Sequence, residues 1–207
     1  MYKTINSNSN AEIIEKKSKF ISNIFYVDSV KQADNYIKSI KKKYFDAKHH
    51  CFAYRIRGEG DLKEKQSDDG EPVGTAGMPI LNILQKNDLT NVLVVVTRYF
   101  GGTLLGTGGL VRAYSDVTVK AIKNAEIINQ EFGYELKIII KYKDLEKFYY
   151  YCHKHAISIL QTFYEENIIC IIELTQKEKI KLLEDNQNEI PILNSIILKE
   201  KYVKIVS

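Results

Sequence analysis

Apolar residues recur along this chain at two alternating rhythms, one near 2 and one near 3.6, and the alternation lays out the elements. Residues 12–27, EIIEKKSKFISNIFYV, carry short β-rich runs separated by charge and predict two strands and a turn. Ser29 reads as an N-cap, after which Val30, Ala33, Ile37, Ile40 and Tyr44 recur at helical spacing. That helix closes on Lys41, Lys42 and Lys43, cations that complement the C-terminal end of its dipole. Residues 51–57 alternate like a strand and residues 58–66 read as a polar loop. Thr75 is expected to cap a helix carrying Ile80, Leu81, Ile83 and Leu84, with Pro79 confined to its first turn. Residues 92–96 are too few for a helix between their flanks and too uniformly apolar to be half exposed, which predicts a central strand. Leu110, Ala113, Tyr114, Val117 and Ala121 then give an amphipathic helix over residues 110–125.

Past Asn129 the same reasoning gives a strand through Tyr134, Leu136, Ile138, Ile140 and Tyr142. A helix follows over residues 143–155, with Phe148, Tyr149 and Cys152 facing the core and Tyr150 and Tyr151 partly exposed. Paired strands come at 157–164 and 168–174, Thr175 caps a helix, and a last strand covers 196–206. The order β-α-β-β-α-β in about 75 residues is that of a ferredoxin-like unit. The expected architecture is therefore α+β in two domains, 1–130 and 131–207.

Composition narrows the function classes. The chain has 207 residues, 44% hydrophobic and 27% charged, which allows a substantial buried core. Net charge is +4, divided as +5 up to Gln130 and −1 after it, so attraction for polyanions is modest and belongs to the first part. The cysteines, Cys51, Cys152 and Cys170, are odd in number and lack CxxC spacing, which argues against a disulfide framework or zinc ribbon and for a reducing cytoplasm. No signal peptide or membrane span is expected.

The candidate chemistry is concentrated in residues 67–115. Asp68, Asp69 and Glu71 place three carboxylates in four residues, and five of the eleven glycines fall within residues 101–109, bracketed by Arg98 and Arg112. A glycine loop between a buried strand and a helix can present free N–H groups to an anion. There is no Lys-Ser/Thr after the glycines for a P-loop, and Gly106-Thr107-Gly108 is followed by Val111 where the dinucleotide pattern has glycine. Against the anion site stands a structural alternative in which the glycines simply permit tight turns. The carboxylates could hold Mg²⁺ or could form only a solvated turn. His49, His50 and Cys51 are adjacent on a strand and so point to alternate faces, a poor arrangement for one metal ion. No nucleophile-elbow context surrounds Ser67 or Ser115, and binding is preferred to catalysis. The candidate ligand-binding set is His50, Asp68, Asp69, Glu71, Arg98, Tyr99, Gly101, Gly102, Gly106, Gly108, Gly109 and Arg112. In this set Arg98 and Arg112 would pair with phosphates.

The stretches DAKHHCFAYRI, SDDGEPVGTAGMPIL and NVLVVVTRYFGGTLLGTGGLVRAYS, in that order, resemble the YigZ/IMPACT family over about residues 12–128. His49-His50-Cys51 stands where His-Asn-Cys is usual, and Val73 where a small Ser is common. The resemblance implies a first domain like domain 2 of ribosomal protein S5. It implies a second, ferredoxin-like domain similar to the last domain of the translocation elongation factor. It also implies a nucleic-acid- or ribosome-associated protein without a settled activity. Eukaryotic relatives regulate a translation stress kinase with an additional N-terminal domain, so that role is not carried over. The resulting expectation is a non-enzymatic translation-associated or regulatory protein with RNA or ribosome as partner. The alternatives are a hydrolase or transferase on a small phosphorylated or acylated substrate, and a module that regulates translation by binding another protein. No cofactor is expected, Mg²⁺ excepted, and no membrane.

Overall fold

The computed structural model describes residues 1–57, 61–186 and 189–205, which form two compact units, Tyr2–Ile128 and Asn129–Ser207. The first is a five-stranded antiparallel sheet in the order β2 (Ser9–Glu15), β3 (Ser18–Tyr26), β6 (Val92–Tyr99), β4 (His49–Arg57), β5 (Leu62–Ser67). Strand β1 (Tyr2–Ile5) is tied to this unit by the Thr90 N–H on the Lys3 carbonyl, at 2.8 Å. Helices α2 (Gly77–Lys86) and α3 (Gly106–Lys123) cover one face, packing on Phe20, Ile24, Val94 and Val96. Helix α1 (Val30–Lys43) covers the other, packing on Leu93, Val95, Tyr54 and Ile56. Residues 92–96 are accordingly at 0% exposure throughout. At roughly 1.5–3 kcal/mol for each large apolar side chain removed from water, this central strand is the main hydrophobic anchor of the unit.

Helix α1 begins as its sequence dictates, with the Ser29 hydroxyl accepting from the Gln32 N–H at 3.3 Å, and ends in its three lysines. Helix α2 begins differently from the expectation. Its N-cap is Ala76, and Thr75 donates its hydroxyl to the Pro72 carbonyl. The free amides of α2 go instead to Asp68, eight residues upstream of Ala76. Residues 62–66, read as loop, form most of β5, because an edge strand facing water needs no apolar alternation. Residues 58–60 of that reading lie outside the described residues. Helix α3 starts at Gly106, inside the glycine stretch rather than after it.

The second unit runs β7 (Ile127–Ile140), α4 (Leu145–Lys154), β8 (Ser158–Tyr164), β9 (Ile168–Thr175), α5 (Gln176–Asp185), β10 (Ile192–Lys204). Its strands lie in the order β10-β7-β9-β8, all antiparallel. Thr175 and Glu178 close a capping box at the start of α5. Phe148, Tyr151, Cys152 and Leu182 fill the core against Leu136, Ile138, Ile140 and Ile172. Tyr151 is therefore buried, contrary to the sequence expectation, whereas Tyr149 packs half-buried against the same core as expected and Tyr150 is 69% exposed. Residues 206 and 207 lie outside the described residues. Among the described residues no helix is long and apolar enough to cross a membrane.

Candidate functional site

The antiparallel register of β4 against β6 sets His49 opposite Arg98 and His50 opposite Thr97. The acidic turn folds back over this end of the sheet. Asp68 is satisfied there by three backbone donors: Gly74 N–H to Oδ2 at 2.8 Å, and Ala76 and Gly77 N–H to Oδ1 at 3.0 and 2.8 Å. It is thus the remote cap of α2, placing a negative charge at the positive end of that helix. Asp69, in the left-handed region at φ 41, accepts from the His50 N–H and from Lys41 Nζ, each at 2.8 Å. Burial alone would raise its carboxyl, but Lys41 and the His50 amide outweigh that and hold it below the usual carboxylate range. The His50 ring is buried, with Nδ1 3.1 Å from the Thr97 hydroxyl, and burial lowers its pKa.

Glu71 and Arg98 form an interior ion pair, their side chains only 3% and 6% exposed. Arg98 Nη1 donates to both carboxylate oxygens, at 2.7 and 3.0 Å, and Nη2 reaches the Ser18 hydroxyl at 3.4 Å. The Phe20 and Phe100 rings lie 5.4 and 5.6 Å from the guanidinium carbon. The Tyr114 hydroxyl of α3 donates to the same Glu71 oxygen at 2.8 Å, and the Cys51 thiol donates to Tyr114 at 3.3 Å. Burial pushes the Cys51 thiol up to about 12 and the Tyr114 hydroxyl higher still, so both stay protonated donors. The network joins β3, β4, the acidic turn, β6 and α3 through one buried carboxylate. It corrects the sequence expectation for Arg98, whose guanidinium is turned inward and engaged. Ser18 and Tyr114 were not among the expected site residues. For Tyr114 the signal was available: a tyrosine on the inward stripe of a helix needs a partner for its hydroxyl.

Tyr99 points elsewhere. Its hydroxyl donates to Asp46 at 2.7 Å, and that bond lifts its pKa to about 12. Gly101 is demanded by close approach, since a Cβ there would strike the Lys17 backbone, and its N–H donates to Ser18 at 3.1 Å. The glycine loop is therefore seated on the β2–β3 turn at Lys16 and Lys17. Gly102, Gly106 and Gly108 differ, because a Cβ at any of them would meet nothing within 4 Å. They leave open space at the N-terminus of α3, which has no side-chain cap and no acidic residue in its first turn. Arg112 is not bonded to the buried network. With Lys16, Leu105, Gly109, Glu15 and Asp116 it lines a groove of about 290 Å³. Among the described residues no group of three or more His, Cys, Asp or Glu is arranged to hold a metal ion.

Fold and site together define a two-unit α+β protein whose first unit closes a sheet end with a buried carboxylate–guanidinium pair beneath an open glycine loop. The model of the Impact N-terminal domain matches residues 16–122. The chain is 35% identical over 177 residues to the IMPACT family member YvyE of Bacillus subtilis, covering 86% of this chain and 81% of that one. It is 38% identical over 167 residues to an IMPACT family member of Haemophilus influenzae, covering 78% and 79%. A solved structure described as that of a hypothetical protein aligns over 97% of this chain and 98% of its own, with TM-score 0.64 and 26% identity. The chain belongs to the IMPACT family.

Proposed function

We propose that this is a translation-associated binding protein that takes RNA backbone, free or within the ribosome, at the glycine-loop end of its first unit. In this reading the first unit is a ribosomal protein S5 domain 2-like module and the second a ferredoxin-like one. The observation that carries it is the state of the charges. The carboxylates of the acidic turn are consumed internally: Asp68 by amides, Asp69 by Lys41 and Glu71 by Arg98 and Tyr114. Lys16, Lys17 and Arg112 have no hydrogen bond or ion pair among the described residues, and they flank the uncapped, glycine-lined start of α3. Free cations beside free amides suit phosphate, and a helix N-terminus adds its dipole. Asp68, Asp69 and Glu71 then position the loop and hold no metal. The link to translation is the one the family resemblance implies.

A protein partner is the second reading, favoured by the apolar side chains exposed on the acidic turn and the glycine loop, Val73 at 97% and Leu104 at 81%. One experiment separates the two: binding to purified ribosomes and to ribosomal RNA across a salt series, for the native chain and for Lys16→Ala/Lys17→Ala/Arg112→Ala. Affinity that falls steeply with salt and drops in the triple variant supports RNA. Binding to ribosomes alone, insensitive to salt and abolished by Leu104→Ser, supports the protein partner.

A further inference from the structure

The second unit has a surface of its own that the first-unit reading leaves unused. Helix α4 presents Lys147, Tyr150 and Lys154 on one stripe, at i, i+3 and i+7, around a hollow of about 210 Å³. Tyr150 projects there at 69% exposure, unlike its neighbours Phe148, Tyr151 and Cys152, which are buried. The core does not require it. Tyr151 also forms a wall of a second hollow, of about 400 Å³, lined by His155 just past the end of α4 and by Lys177 and Lys181 of α5. The Tyr151 hydroxyl is fixed by Asp185 at 2.8 Å, and its ring lies 4.3 Å from that of His155, so the wall is rigid. His155 Nε2 is buried without a hydrogen-bond partner.

Among the described residues none of Lys147, Lys154, Lys177 and Lys181 is in an ion pair. The acids beside them are Glu189 and Glu131 at the rims, Glu178, which is held by its capping box, and Asp185, which accepts from the Tyr151 hydroxyl. An exposed ring between two lysines, next to a hollow with two more lysines, matches a chain of alternating flat bases and phosphates. The geometry points to the α4–α5 face as a site for single-stranded nucleic acid, with a base stacked on Tyr150 and a phosphate received by Lys177 and Lys181. This site goes beyond the glycine-loop reading and does not depend on it.

The test is fluorescence anisotropy of a labelled oligouridylate decamer with the full-length chain at several salt concentrations. Tyr150→Ala is expected to weaken binding about tenfold while Tyr150→Phe, which keeps the ring, binds like the native chain. Lys147→Ala/Lys154→Ala and Lys177→Ala/Lys181→Ala should each reduce the log–log salt slope by about 1.4, two phosphate contacts at roughly 0.7 apiece. All these side chains except Tyr150 are exposed cations, and thermal melts of every variant should match the native protein. Native affinity in Tyr150→Ala, an unchanged slope in both lysine pairs, or no binding of the decamer by the native chain would overturn the inference. The variant Lys16→Ala/Lys17→Ala/Arg112→Ala, run alongside, separates the two sites. A loss confined to it refutes the α4–α5 site and leaves the glycine-loop reading intact, and the converse pattern does the opposite.

Discussion

Glu71 is the residue on which the first unit's functional end turns. It accepts from Arg98 Nη1 twice and from Tyr114, and each of those donors anchors a different element. Removing one member of a buried pair strands the other, which costs about 3–5 kcal/mol. Glu71→Ala should therefore lower the unfolding free energy measured by urea titration by that amount, and Arg98→Ala should do likewise, with the double variant costing less than the sum. Additive losses would mean that the two do not act as a unit. His50 adds a pH dependence. Its folded pKa is depressed by burial, so the unfolded chain binds the extra proton first, and stability falls as pH drops below about 6.5. Asp69 is depressed too, so its contribution is present above about pH 4 and lost below it. In melts across pH 2–8, His50→Gln should flatten the upper part of the decline and leave the lower part in place. A native-like profile in that variant would reject the assignment. At this scale the sequence showed which groups carry charge but not whom they meet: Arg98 and Glu71 were legible as polar chemistry, whereas their partners Ser18 and Tyr114 come from 53 and 43 residues away from Glu71 in the chain.

Among the elements, α2 shows how a nonlocal contact replaces a local cap. A serine, threonine or aspartate just before a helix is readable from sequence, as Ser29 and Thr175 were. Asp68 was not readable as a cap, because the intervening turn through Gly70 and Gly74, both at positive φ, brings it back over the helix start. Asp68→Ala would leave three amides without their acceptor and should cost about 2 kcal/mol, with Asp68→Asn recovering part of it through its remaining carbonyl oxygen. Hydrogen exchange at Gly74, Ala76 and Gly77 is the measurement: the account expects those amides to lose protection in Asp68→Ala while α3 keeps its own. Equal protection in variant and native chains would show that Asp68 is not the cap. β5 was hidden for another reason. Its solvent-facing Lys63, Glu64 and Lys65 carry no hydrophobic period, yet they pair residue for residue with β4.

For the whole molecule, the large periodic features were plain in the sequence. They include the doubly buried strand through residues 92–96, the amphipathic α1, and the β-α-β-β-α-β order of the tail. The glycine stretch was visible as unusual, but sequence could not divide it. Structure assigns Gly101 to close packing on Lys17 and leaves Gly102, Gly106 and Gly108 facing open space. That division separates Gly101, kept for close packing, and Gly102 and Gly106, which turn the chain at φ 84 and 73, from Gly108, which folding does not require. Gly108 lies within α3, so alanine there meets no neighbour and should stabilise the protein by up to about 1 kcal/mol. If the open helix start receives RNA phosphate, the same methyl group obstructs its approach. The decisive measurement is the affinity of Gly108→Ala for ribosomal RNA at fixed salt, read beside its melting temperature. The account predicts a melting temperature at or above that of the native chain together with RNA affinity reduced about tenfold. A Gly108→Ala protein that melts higher and binds RNA as the native chain does would contradict it.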